Sequence, residues 1–326
     1  MEPATAFDRT DAAPLLPDVF ARWFAGRGWA PRPHQLELLA KARAGRSVLL
    51  IAPTGGGKTL AGFLPTLVEL NEAHARPRKL TSTGRDLRRS HGLHTLYISP
   101  LKALAVDIAR NLEIPVKDMG LPVRLETRTG DTPASKRARQ RRDPPDILLT
   151  TPKQLALLLA SADAPYLFGT LKRVVLDELH SLVTSKRGDL LSLGLARLFA
   201  LAPQISTVGL SATVAEPHDL CRFLLPQPLA GEARADLVVA QAGAPPHVTM
   251  LDTEDYLPWA GHSARHALGE IYALIKRHKT TLVFVNTRSQ AEFLFQELWY
   301  ANDDISLSHC ITARSTSRSD ARSRTP

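Results

Sequence analysis

A short apolar run, Ser47-Val48-Leu49-Leu50-Ile51, passes through Ala52-Pro53-Thr54-Gly55-Gly56-Gly57-Lys58-Thr59 into Leu60-Ala61-Gly62-Phe63-Leu64, which can open a helix. Strand, glycine loop and helix in that order are what a phosphate cradle requires. Three consecutive glycines let backbone N–H groups approach phosphate oxygens without Cβ clashes. Lys58 has the reach for β and γ phosphates, and the Thr59 hydroxyl suits a magnesium ion. The commonest form of this loop begins with glycine; Ala52 stands there instead, and the Gly-Lys-Thr core is intact. Thr54, Gly55, Gly56, Gly57, Lys58 and Thr59 are therefore the nucleotide-binding candidates.

A second apolar run, Lys172-Arg173-Val174-Val175-Leu176, leads into Asp177-Glu178-Leu179-His180. If this run is a buried parallel strand, Asp177 sits at its ligand-facing end. Asp177 can then hold magnesium directly or through its second shell, and Glu178 can orient or deprotonate an attacking water. Lys58, Asp177, Glu178 and His180 form the catalytic set; Thr59 and Asp177 form the metal set.

Between and beyond these two segments, strand-length runs alternate with helix-period segments. The runs are 48–51, 95–99, 123–126, 147–150, 173–176 and 206–210; helices are expected over 60–70, 104–112, 153–160 and 190–201. Alternation of this kind implies an α/β fold, a mainly parallel sheet covered by helices on both faces. The 326 residues suffice for about two ordinary domains. After residue 224, Pro226, Pro228, Gly231, Gly243, Pro245 and Pro246 mark a passage toward a second domain, with one strand candidate at 236–240. There 266–276 is amphipathic, 281–285 reads as a buried strand and 289–299 as a helix. The expected organisation is a flexible 1–14, a first domain over 15–225, a linker over 226–262, an incomplete second domain over 263–304 and a tail over 305–326.

Hydrophobic residues make up 44% of the chain, yet no apolar run reaches membrane-spanning length, and the N-terminus lacks the pattern of a secretory signal. The two cysteines, Cys221 and Cys310, have no metal-type spacing. A reducing, cytoplasmic setting without membrane partners is the expectation. His91 and His94 are the nearest approach to a ligand pair and read as solvated loop residues. A net charge of +9 suits a polyanionic partner, although its distribution says more. Arg76, Arg78, Lys79, Arg85, Arg88 and Arg89 lie among turn residues; Lys136, Arg137, Arg139, Arg141 and Arg142 form a second cluster, which we expect to touch nucleic acid.

At the strand ends stand Ser99-Pro100-Leu101-Lys102-Ala103-Leu104, Thr129-Gly130-Asp131, Thr150-Thr151-Pro152-Lys153 and Ser211-Ala212-Thr213. Together with the glycine loop and Asp-Glu-Leu-His, in this order, they resemble the motifs of superfamily 2 helicases. Arg32-Pro33-His34-Gln35, 97–107, 127–132 and 184–189 look like the Lhr family of DNA helicases. Trp259-Ala260-Gly261-His262-Ser263 with 282–288 looks like its bacterial ligase-associated branch. The resemblance extends over about 15–304.

It implies a RecA-like fold (a P-loop NTPase sheet), use of ATP with Mg2+, and movement along single-stranded or partly duplex DNA, 3′ to 5′, in DNA repair, with RNA as a lesser alternative. A DNA ligase and a nuclease are the implied partners. Gln35 matches the residue that reads an adenine edge, with Trp29 or Phe20 to stack on the ring. Ser99, Lys102, Thr129, Gly130, Thr151 and Arg288 match positions that hold the nucleic-acid backbone. Ser211 and Thr213 match the motif that couples the two sites.

The resemblance also implies a complete second RecA-like domain bearing motif V and the arginine fingers of motif VI. No Gln-x-x-Gly-Arg-x-Gly-Arg run occurs here, and from Ile305 the chain has the composition of a disordered basic tail. One permitted back-translation of 309–326, read two nucleotides later, gives LHHGSLDVAQRRQVEDA, similar to what the family carries after motif IV. A frameshift just after Asp304 is thus expected, leaving a motor able to bind ATP and severely impaired in turning it over. A non-catalytic, ATP-responsive strand-binding fragment is the alternative.

Overall fold

The computed structural model describes residues 15–75, 92–212, 214, 216–241, 247–251 and 267–301. The first elements are α1 (Asp18–Gly26), α2 (Pro33–Arg43), β1 (Val48–Ile51), α3 (Lys58–Ala75), β2 (Thr95–Ile98), α4 (Lys102–Asp118) and β3 (Leu125–Arg128). Next come α5 (Ala134–Arg142), β4 (Ile147–Thr150), α6 (Pro152–Leu159), α7 (Ala164–Phe168), β5 (Arg173–Leu176), α8 (Leu179–Val183) and α9 (Lys186–Leu201). Then follow β6 (Ser206–Ser211), α10 (Pro217–Phe223), β7 (Asp236–Val239), α11 (Leu268–Arg277) and α12 (Arg288–Tyr300).

The seven strands form one sheet in the order β3-β4-β2-β5-β6-β1-β7, every pairing parallel. Alternate residues of each strand face opposite layers. Val48, Leu50, Tyr97 and Val175 point to a core built with Phe20, Leu38, Phe63, Leu67 and Leu112 of α1 to α4. Leu49, Ile51, Leu96, Ile98, Val174 and Leu176 point to the other, with Leu155, Phe168, Leu182, Leu195 and Leu198. Burial on both faces explains why these strands read as continuous apolar runs.

Because all strands are parallel, their C-terminal ends lie along one edge, and the chain turns back there above β1, whose neighbours are β6 and β7. Below, at the opposite edge, a polar cluster ties α3 to the sheet. Arg173 opens β5 with its side chain only 3% exposed and donates to both oxygens of Glu69 on α3, at 2.7 and 3.0 Å. The His94 Nε2 lies 3.3 Å from Glu69, its Nδ1 lies 2.9 Å from the Thr95 hydroxyl, and Thr95 bonds Thr66 at 2.9 Å. His94 is therefore a half-buried member of this network rather than a solvated loop residue; His91 lies outside the described residues.

Three expectations change. The strand expected at 123–126 runs Leu125–Arg128, because β4 begins at Ile147 opposite Leu125 and the Arg124 N–H is taken by the Asp146 carboxylate at 2.8 Å. The strand expected inside the 226–262 linker is β7, the edge strand paired with β1, so the first sheet continues beyond 225. The run 281–285, expected to be a buried strand, has no regular secondary structure and no ladder partners, with Leu282 76% and Phe284 88% exposed. A strand is held by its neighbours, and no strand forms among the described residues of this part of the chain. The chain divides into two compact units, Met1–Pro245 and Pro246–Pro326. In the second, the described residues contribute α11, the irregular 281–285 and α12, whose N-terminus is closed by reciprocal Thr287 and Gln290 hydrogen bonds of 3.2 Å. Arg76 to Arg89, Trp259 to Ser263 and 302–326 lie outside the described residues. No described helix is long and apolar enough to cross a membrane.

Candidate nucleotide site and strand track

The glycine loop leaves β1 and is clasped from behind by the start of α2. Arg32 Nη1 donates to the Gly55 carbonyl at 3.1 Å, His34 Nε2 pairs with that of Gly56 at 2.9 Å, and Gln35 Nε2 donates to that of Gly57 at 3.3 Å. Gly57 has φ +75°, and a Cβ there would stand 2.8 Å from the Gln35 amide; at Gly56 it would stand 2.7 Å from the Pro53 carbonyl. Glycine is thus required by conformation at one position and by space at the next. Arg32 and His34 were missed as loop-holding residues. The only sequence signal for them was the segment Arg32-Pro33-His34-Gln35.

Gln35 is 3% exposed, and its Oε1 also accepts the Arg32 N–H at 2.9 Å. One amide hydrogen and one lone pair remain for a ligand. A cavity of about 470 Å³ opens beside it, walled by Trp29, Arg32, Gly57, Thr59 and Leu60. Phe20 is fully buried in the core, whereas Trp29 is 54% exposed, so of these two rings it is Trp29 that lines the cavity. Thr54 and Gly55 stand on the loop, and Lys58 opens α3 with its Nζ 2.9 Å from the Ala52 carbonyl.

Asp177 follows β5 and is 4% exposed. Its Oδ2 accepts the Tyr97 hydroxyl of β2 in a short hydrogen bond, and its Oδ1 accepts the Glu178 N–H at 2.9 Å. Burial pushes the Asp177 carboxyl above the usual carboxylate range, against the lowering effect of the Tyr97 and Glu178 donors. The Tyr97 hydroxyl is driven upward by burial first and by the Asp177 charge second. Nothing in the spacing of the sequence pairs Tyr97 with Asp177; adjacency of β2 and β5 does. Glu178 is the one non-glycine residue with positive φ among the described residues, at φ 47° and ψ 45°. Such a conformation costs of order 1 kcal/mol and is retained where side-chain direction matters. His180 lies between Glu178, 3.4 Å away, and the Ser211 hydroxyl, 3.0 Å away, so the β5 and β6 ends are joined through one imidazole. Thr213 lies outside the described residues.

Oxygen donors from Thr59 and Asp177 are the chemistry a hard divalent cation takes. No cluster of three or more His, Cys, Asp or Glu able to hold a metal occurs among the described residues, so a cation here would complete its shell with water and phosphate oxygens.

Farther along the same edge, Ser99 follows β2, Thr129 and Gly130 follow β3, and Thr151 stands at the N-cap of α6 after β4. Lys102, first residue of α4, pairs with Asp131 at 3.1 Å beside Gly130. Arg137 of α5 donates to the Gly130 carbonyl at 2.6 Å, bracing this loop from the helix side. The basic cluster is thus α5 itself. Arg139 is neutralised by Glu126 at 2.8 Å and Arg141 lies 3.7 Å from Asp163, while Lys136 and Arg142 make no ion pair among the described residues. Arg288 opens α12 in the second unit.

Comparison with known proteins gives the same reading. The DEAD/DEAH box helicase family model matches residues 32–220. The chain is 36% identical over 327 residues to the Lhr helicase/uracil glycosylase of Escherichia coli, covering 89% of this chain and 20% of that protein. It is 34% identical over 293 residues to ATP-dependent helicase Lhr-Core protein 2 of Thermococcus barophilus, covering 85% and 33%. A solved structure of the Mycobacterium smegmatis helicase Lhr bound to ssDNA and AMP-PNP superposes with a TM-score of 0.65 at 34% identity, over 86% of this chain and 35% of that one. The chain spans about a fifth to a third of the length of these relatives. With a match over more than half of its residues, and the motif residues of the first unit gathered at one edge of a parallel sheet, the chain belongs to the DEAD/DEAH box helicase family, with Lhr helicases as its relatives.

Proposed function

We propose that this chain carries the ATP-binding half of an ATP-dependent nucleic-acid motor, one that works on DNA. The observation that carries the reading is the common edge: loop 52–57, Asp177 and Ser211 at the ends of β1, β5 and β6, beside Ser99, Thr129 and Thr151 at the ends of β2, β3 and β4. In this reading one sheet carries a nucleotide site and a strand track side by side.

In this reading the base enters the cavity between Trp29 and Gln35, and Lys58 exchanges the Ala52 carbonyl for phosphate oxygens. Thr59 and Asp177 would hold Mg2+, which neutralises phosphate charge when bound. Glu178, held in its unusual backbone conformation, orients or deprotonates the attacking water. His180 and Ser211, with Thr213, link that carboxylate to the strand track. Ser99, Lys102, Thr129, Gly130, Thr151 and Arg288 hold backbone phosphates, which positions a strand without reading its sequence. Lys102 must leave Asp131 to do so, an exchange that costs little at an exposed ion pair.

The finer reading is 3′ to 5′ movement on single-stranded or partly duplex DNA in repair, in the cytoplasm, with a DNA ligase and a nuclease as partners. A polypeptide of these 326 residues is impaired in turnover because it contains no motif VI arginines. A second reading, an ATP-responsive strand-binding fragment without catalysis, is favoured by one observation: the described residues of the second unit form two helices and no sheet.

Salt dependence of strand binding tests the track. Log affinity for a single-stranded oligonucleotide is expected to fall linearly with log salt, and Lys136→Ala and Arg142→Ala each to make the slope shallower by about 0.7 while ATP affinity stays constant. Fluorescence anisotropy reads both; a slope unchanged in the double variant removes α5 from the track. Matched DNA and RNA oligonucleotides in the same titration decide between the strand types.

A further inference from the structure

The wall of the base cavity has a support that reaches it from the far end of α4. Trp29 lies beyond α1, its N–H donating to the Phe24 carbonyl at 2.9 Å, and its indole is more than half exposed. A large exposed aromatic ring needs something to fix its orientation. The Arg27 guanidinium lies 5.4 Å from the Trp29 ring centroid and 5.2 Å from that of Trp23, and the two indoles meet edge to face at 5.8 Å. A cation against two ring faces is attracted by both quadrupoles. Arg27 is itself held by Asp118, the last residue of α4, whose Oδ2 takes a short contact from Arg27 and the Trp23 indole N–H at 3.1 Å. Asp118 therefore orders Trp23 and Arg27 together, and through them Trp29.

We propose that Arg27 and Asp118 are positioning residues for recognition of the nucleotide base: Asp118 holds the Arg27 guanidinium against Trp23 and Trp29, and so sets the Trp29 ring as one wall of the base cavity. Neither Arg27 nor Asp118 lines the cavity itself. The inference rests on the reading of that cavity as a nucleotide site and adds the residues that give it base preference. Asp118 and Arg27 are well exposed, their side chains 39% and 36% accessible, so substitution there leaves the core of α4 and α1 in place. A planar guanidinium, not charge alone, is what stacks on indole.

The test uses the whole chain and two ligands, MgATP and magnesium tripolyphosphate, the second lacking base and sugar. Wild type is expected to bind ATP more tightly than tripolyphosphate. In Asp118→Asn and Arg27→Ala the ATP affinity is expected to fall about 5- to 10-fold while that for tripolyphosphate stays within about twofold. Arg27→Lys, which keeps the charge and loses the planar fork that reaches Asp118 and both rings together, is expected to recover only part of that loss. Equal losses for both ligands, no loss for either, or full rescue by lysine would overturn the assignment. A wild type without preference for ATP over tripolyphosphate would instead overturn the base-cavity reading, and the proposal with it.

Discussion

A polypeptide of these 326 residues is expected to hydrolyse bound ATP, in a single turnover with or without DNA, about 10³- to 10⁵-fold more slowly than a relative that presents its arginine fingers. In the proposed reading the groups that position ATP are Lys58, Thr59, Asp177 and Glu178, the last with positive φ, all on the first unit. The charge that develops on the transferred phosphoryl group needs cations from a second wall, which motif VI supplies in the family. Lys58 by itself neutralises part of it. Binding should therefore survive where turnover does not, and DNA should leave the rate almost unchanged. Rapid-quench hydrolysis beside a two-domain Lhr helicase checks this; comparable rates would show that the 326 residues hold a catalytic cation we have not identified.

The second large effect concerns stability. Glu69→Gln is expected to cost about 3 kcal/mol, because it leaves Arg173 buried with its ionic partner gone. Burial alone would push the Glu69 carboxyl up, yet hydrogen bonds from His94 and Arg173 outweigh it and hold the group at about 2, below its ordinary 4.5. A depressed carboxylate stabilises the fold above its unfolded pKa, and that contribution is lost as pH falls toward the folded value. The gap between wild type and Glu69→Gln should thus be full at neutral pH and narrow between about 4.5 and about 2. Urea unfolding at several pH values measures it; a gap that does not narrow would mean that packing, not charge, is lost.

The sheet was legible because each inner strand is a continuous apolar run ending at a polar motif, and parallel pairing places those motifs together. The five strands 48–51, 95–99, 147–150, 173–176 and 206–210 are found at or within one residue of where the pattern puts them. What stayed hidden depends on partners distant in the chain. Tyr97 meets Asp177, and His94 and Arg173 meet Glu69, only because β2, β5 and α3 are neighbours. The loop-clasping start of α2 was legible as a motif, not as a mechanism. Helix α5 read only as charge, since Gln140 alone among its residues is buried and no apolar stripe marks it. The run 281–285 shows the converse: apolar composition reads as a strand, but without neighbouring strands it forms none and stays exposed. Trp29 and Phe20 were equivalent candidates in sequence, and helix phase separates them, turning Phe20 inward from α1 while Trp29 falls past its end.

The account stands on Lys58 meeting phosphate at the end of β1. Calorimetric titration of the whole chain with a non-hydrolysable ATP analogue and Mg2+ tests this most directly, with Lys58→Ala as the comparison. Loss of one charge-assisted hydrogen bond predicts saturable one-to-one binding by wild type that weakens at least about tenfold in the variant. Equal affinity in the two proteins, or no binding to wild type, would contradict it.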